Sequence, residues 1–203
     1  FLVSIVLFCI NVFSISYGGE STLETRLTQE LTRIKGVKMA QVSLTLEGKD
    51  ITEAQVDIRS QSGYKFTKEQ KTVIIDFIAY SAPGLIPENI KLNISNEPLI
   101  SFPTNSVPYI STSIEEQIAT KVKGKLPVEE IYINYINPGK NFLGEYKIKP
   151  RVAVIVKIIP GKELREKAIF DLVDALCKTV KDLSIENILI IDTDAHNIFQ
   201  LIN

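Results

Sequence analysis

At 203 residues, with 45% hydrophobic and 23% charged side chains, the chain has a globular composition and room for one large domain or two small ones. Its net charge of −1 and pI near 6.0 exclude broad electrostatic binding to nucleic acid or to an anionic membrane surface. The lysines between Lys121 and Lys125 are offset by Glu129 and Glu130 and read as a solvated helix end.

The chain opens on an uncharged, mostly apolar run, "FLVSIVLFCINVFSIS", from Phe1 to Ser16. About 20 such residues span a bilayer as a helix, and about 7–15 suffice for a secretory core. Residues 1–17 therefore read as a signal peptide or a membrane anchor, and either one exports the rest of the chain. Ser14 and Ser16 place small residues where cleavage would need them. Lipidation at Cys9 is disfavoured by the bulky Phe8 before it. Beyond the leader one thiol remains, Cys177, on the apolar side of a predicted helix; it reads as structural.

Ser21 and Glu24 form a capping-box pattern, and Leu23, Leu27, Leu31 and Ile34 follow at helical spacing up to Gly36. Ala40, Val42, Leu44 and Leu46 alternate with polar residues, as do Ala54, Val56 and Ile58, predicting two half-buried strands. Thr67 and Gln70 cap a helix carrying Val73, Ile74, Phe77 and Ile78, which ends at Ala82-Pro83-Gly84. Ile90, Leu92 and Ile94 predict a third strand. Three prolines mark the connector from Asn96 to Ser113. Then the order recurs. Ser113 and Glu116 repeat the capping box, and Ile114, Ile118 and Val122 give a helical stripe. Ile131, Ile133 and Tyr135 alternate in a strand, followed by Val152, Val154, Val156 and Ile158. Ile169, Phe170, Val173 and Leu176 are expected to face inward from a helix, and "NILIID" is the last strand.

The recurrence keeps register. Gly63 and Gly161, Asp76 and Asp174, Leu85 and Leu183, and Glu88-Asn89-Ile90 and Glu186-Asn187-Ile188 all stand 98 residues apart. Before the second strand the offset is 91, as for Glu24 and Glu115 or Val37 and Val128. The second copy therefore holds seven extra residues near Asn137-Pro138-Gly139, where a hairpin tip tolerates insertion. The chain is an internal repeat. The expected fold is α+β: two tandem small domains, each helix–strand–strand–helix–strand, with a three-stranded sheet and two helices on one face. Their expected bounds are 21–96 and 113–195, with a linker at 97–112 and a C-terminal segment at 196–203.

"LETRLTQELTRIKGVKMAQVSLTL" and "SGYKFTKEQKTVIIDFIAYSAPGLIPENIKL" resemble the ring-building domain of the YscJ/FliF family. That family includes the flagellar MS-ring protein and the inner-ring lipoprotein of type III secretion injectisomes. The resemblance covers roughly 75 residues of the first copy; the second is looser, lacks the Pro-Gly step, and is also similar to the ring protein of sporulation channels. It implies a structural component of a flagellar basal body or type III secretion-like apparatus. The implied partners are further copies of this chain in a ring, other ring proteins, and the inner membrane through the N-terminal segment. The domains would lie on the periplasmic side.

No catalytic, cofactor or metal site is expected. Asp192, Asp194 and His196 alternate at a strand end and could bind a cation, but such trios are more often polar strand ends. Gly161-Lys162 lacks the rest of a phosphate-binding loop, and no Ser-His-Asp set has a plausible context. A tandem KH-like RNA-binding module is the alternative; it would need a Gly-x-x-Gly loop and a basic face, and neither is present. One surface does stand out. Where the first copy carries Asp57, Lys91 and Asn93 on the sheet face away from its helices, the second carries Ile155, Leu189 and Ile191. A sheet apolar on both faces is covered on both. These three are the candidate oligomer interface, to be covered by a neighbouring subunit or by the longer hairpin.

Overall fold

The computed structural model describes residues 22–47, 50–96, 113–122, 126–136 and 149–201; the leader, the linker 97–112 and the hairpin tip lie outside them. Helix α1 (Leu23–Leu31) is followed by strands β1 (Val37–Glu47) and β2 (Asp50–Ser60), helix α2 (Lys68–Ser81) and strand β3 (Ile90–Ser95). The second copy gives α3 (Ser113–Val122), β4 (Val128–Ile136), β5 (Arg151–Ile158), α4 (Glu166–Thr179) and β6 (Ile188–Asp192), then a further strand, β7 (Asn197–Gln200). The sheets run β1-β2-β3 and β4-β5-β6-β7. In each, the first two strands are antiparallel and the third joins parallel to the second, across a helix.

The repeat holds element by element. α2 and α4 begin and end 98 residues apart, as do the short 3-10 turns Pro87–Asn89 and Ile185–Asn187, while β1 and β4 begin 91 apart. The extra residues fall between Ile136 and Arg151. Even the missing Pro-Gly step is replaced in kind. Gly84 has φ +82°, and Asp182, its counterpart, has φ +62°. Aspartate is among the few residues that visit the left-handed region, so the helix exit survives without glycine.

The sequence reading needs three corrections. Thr22, not Ser21, caps α1, accepting from the Thr25 N–H at 3.2 Å. The box at Thr67 and Gln70 is present in both directions, whereas the side chains of Ser113 and Glu116 lie outside the described residues. Phe170 points outward, 52% exposed, and fully buried Leu172 takes the inward place. The second sheet has four strands rather than three, because β7 lies in the segment set aside as 196–203 and pairs with β6.

Gly36, in the turn between α1 and β1, has φ +88°, and a Cβ there would run into the Tyr64 ring. That ring's hydroxyl accepts from Gln70 Nε2 at 3.1 Å. Gly36→Ala therefore meets backbone strain and overpacking together, and should lower stability by about 2–4 kcal/mol in urea denaturation.

Candidate functional site: the seam between the two units

Ile155, Leu189 and Ile191 are 0% exposed. Parallel pairing sets Ile155 beside Ile191 and Ala153 beside Leu189, so they form one patch on one face of the second sheet. The patch belongs to the core of the first unit, with Ala195 and half-buried Tyr132 beside it. Its cover is α2, which packs on β5 and β6. The expected outward interface is thus an internal seam. Among the described residues the apolar face is covered within the chain, by a helix of the other unit. α2 suits the position. Val73, Ile74, Phe77, Ile78, Ala79 and Ser81 are buried, with Ile75 and Tyr80 partly so, which extends well beyond one stripe. α4 buries the single stripe Leu172, Val173 and Leu176. A helix apolar on both sides lies between two layers; a one-sided helix closes a stack.

Three polar contacts hold the rim. At the turn after β6, the Thr193 carbonyl accepts from the Lys35 N–H at 2.6 Å, the Asp194 carbonyl accepts from Gln70 Nε2 at 2.8 Å, and Lys35 Nζ pairs with Asp194 at 2.9 Å. At the far end of α2, Tyr80 Oη donates to the Glu186 carbonyl at 3.2 Å and Arg151 donates to the Ala79 carbonyl at 3.3 Å. The third joins α1 to α3 and β4. Arg26 of α1 forks onto both Glu115 oxygens at 2.9 Å, donates through Nε to Glu30 at 3.0 Å, and also reaches the Ile133 carbonyl. Asn134 Nδ2 donates to the other Glu30 oxygen at 2.7 Å. Beside it, the Arg33 guanidinium lies 3.5 Å from the Tyr132 ring centroid. Burial pushes the Glu30 carboxyl up to about 7, against the pull of Arg26 and Arg33 and helped by the Glu115 charge.

Glu24 and Glu115 do the same local work. Glu24 Oε1 accepts from the Leu44 N–H at 2.8 Å, and Glu115 Oε1 accepts from the Tyr135 N–H at 2.9 Å. Thr28 adds a bond from the Val42 N–H at 3.2 Å. Leu44 and Tyr135 stand on the outermost strands β1 and β4, so the first helix of each unit satisfies an edge that another strand would otherwise seek.

Asp192, Asp194 and His196 do come together, with ligand atoms within 4.8 Å of one another. Their partners are already assigned. Asp192 accepts from the His196 N–H at 2.8 Å and meets its Nδ1 at 2.9 Å, while Asp194 pairs with Lys35. The trio shapes the turn that grips the first unit. Cys177 is half-buried, and burial raises its thiol, which weakens it as a nucleophile.

Two stretches of the chain, residues 13–101 and 105–199, match the profile described as "secretory protein of YscJ/FliF RBM domain", one stretch across each unit. The chain belongs to the YscJ/FliF family. Members of this family are structural ring proteins of flagella and secretion systems, and this chain is accordingly a structural protein rather than an enzyme. No curated protein matches the chain. Among solved structures, a FliF fragment spanning residues 58–213 is similar at a TM-score of 0.36 and 15% identity, over 75% of this chain and 89% of that one. Among the described residues, no helix of this YscJ/FliF member is long and apolar enough to cross a membrane.

Ile155→Ala or Leu189→Ala should each lower the stability of the single chain by about 2–5 kcal/mol, read by urea denaturation at a concentration where only monomer is present. Arg26→Met removes the guanidinium between two enclosed carboxylates and should cost about 3–5 kcal/mol in the same measurement.

Proposed function

We propose that the chain is a ring-forming subunit of a membrane-embedded flagellar basal body or type III secretion-like apparatus. It assembles as a homo-oligomer through two ring-building units, within 21–96 and 113–195, joined by the linker 97–112. The N-terminal segment 1–17 holds it to the bacterial inner membrane. Both units stand on the periplasmic side, against other ring proteins of the apparatus. The observation that carries this reading is the family match across both units. It gives no role to nucleic acid or to a cofactor.

Two features of the surface support it. The capped edges of β1 and β4 discourage open-ended strand addition, which would build fibres rather than a closed ring. The outer face of the first sheet is polar. Asn93 donates to Asp57 at 3.0 Å, Gln55 donates to Asp57 at 3.2 Å, and Lys91 pairs with Glu53. That face can meet water before assembly and a polar neighbour afterwards.

The full chain, reconstituted in membranes or detergent at high concentration, should give closed rings of one diameter by negative-stain electron microscopy. A persistent monomer under those conditions would refute the proposal.

A further inference from the structure

The two capped edges differ in one residue. In the first unit two side chains of α1 reach β1: Glu24 accepts from the Leu44 N–H and Thr28 from the Val42 N–H. In the second unit Glu115 accepts from the Tyr135 N–H. The residue 91 places after Thr28 is Ala119, which has no hydroxyl to offer Ile133, the counterpart of Val42. The backbone of Ile133 does face outward, because its carbonyl meets Arg26 of α1. In an antiparallel edge strand the N–H of a residue points the same way as its carbonyl, and the same alternation turns Ile131 outward. The cap on β4 therefore covers only its far half.

The near half borders a groove of about 210 Å³, lined by Ala119 and by five consecutive residues of β4, from Val128 to Tyr132. Consecutive residues alternate between the faces of a sheet, so the groove follows the strand's edge. Ile131 stands where the first unit has buried Ala40, and it is only half-buried. At the rim, Glu129 and Glu130 are exposed and share Lys157. An outward backbone, an apolar lining and an acidic rim suit an extended strand that carries a basic side chain.

The chain has such a strand. β3 is the last strand of the first sheet, and among the described residues no strand pairs on its outer side, whereas its counterpart β6 is covered by β7. Lys91 stands in β3 with its side chain 70% exposed, paired with Glu53. Within one chain β3 and β4 belong to different sheets, with α2 packed against both.

We propose that the open half of β4 takes β3 of a neighbouring copy, joining the second sheet of one subunit to the first sheet of the next. The proposal rests on the ring-forming reading above and names a surface through which the copies meet. Two different surfaces face each other in this contact, and such head-to-tail contacts generate rings when their rotation closes.

The test uses the full chain, assembled as for the rings above and followed by sedimentation. Ala119→Thr restores the hydroxyl that caps the first unit's edge. It should raise the concentration for half-assembly by about tenfold, the effect of losing one edge hydrogen bond. The monomer's melting temperature should stay at or above that of wild type. Lys91→Glu should also weaken assembly, and adding Glu130→Lys to that chain should restore it, a readout that does not depend on the Thr variant. Wild-type assembly by Ala119→Thr would overturn the proposal and leave ring formation standing. So would a Lys91→Glu, Glu130→Lys chain that assembles no better than Lys91→Glu alone. A wild-type chain that stays monomeric would overturn the ring-forming reading and this one with it.

Discussion

The structure turns on one constraint: the second sheet is apolar on both faces. Ile155, Leu189 and Ile191 stand where the first unit carries Asp57, Lys91 and Asn93, and at about 1.5–3 kcal/mol for each side chain they do not stay in water. α3 and α4 cover one face of this sheet, and α2 of the first unit covers the other. The result is a four-layer stack of sheet, helices, sheet, helices. It closes at one end with a polar sheet face and at the other with the one-sided helix α4. Terminal layers with polar outer faces are what a stacked repeat requires.

The same stacking explains the buried polar groups. Glu24 and Glu115 both begin by satisfying an edge-strand N–H. Only Glu115 faces a preceding unit, and it alone gains a guanidinium from it. Glu24 has no unit before it among the described residues; its Oε2 is without a partner and burial raises its carboxyl. One sequence feature, copied at an interval of 91, thus acquires two electrostatic settings from its place in the stack. Glu30 is a third case. Its residue type is ordinary for a helix, and its environment is set by a strand and a helix from the other unit.

Much of the fold was legible in the chain, because strand alternation and the two constant offsets depend on local spacing. The need to cover Ile155, Leu189 and Ile191 was also legible, but the cover was not. A helix apolar around much of its circumference, as α2 is at Ile75, Ala79 and Tyr80, gives no periodic sign of a second partner. Phe170 falls one position off the stripe that Leu172, Val173 and Leu176 define, and so faces out despite its size. β7 is only four residues long and comes after a turn in which Ala195 takes φ +57°, so its sequence carried little strand signal. The Arg26–Glu115 pair joins residues 89 apart, beyond the reach of any helical spacing.

The central claim is that two copies of one unit share a core and fold as one body. Differential scanning calorimetry of the full chain, held monomeric, tests this most directly. The account predicts one transition, with calorimetric and van't Hoff enthalpies that agree. Two separate transitions, each with the enthalpy of a single unit, would contradict it.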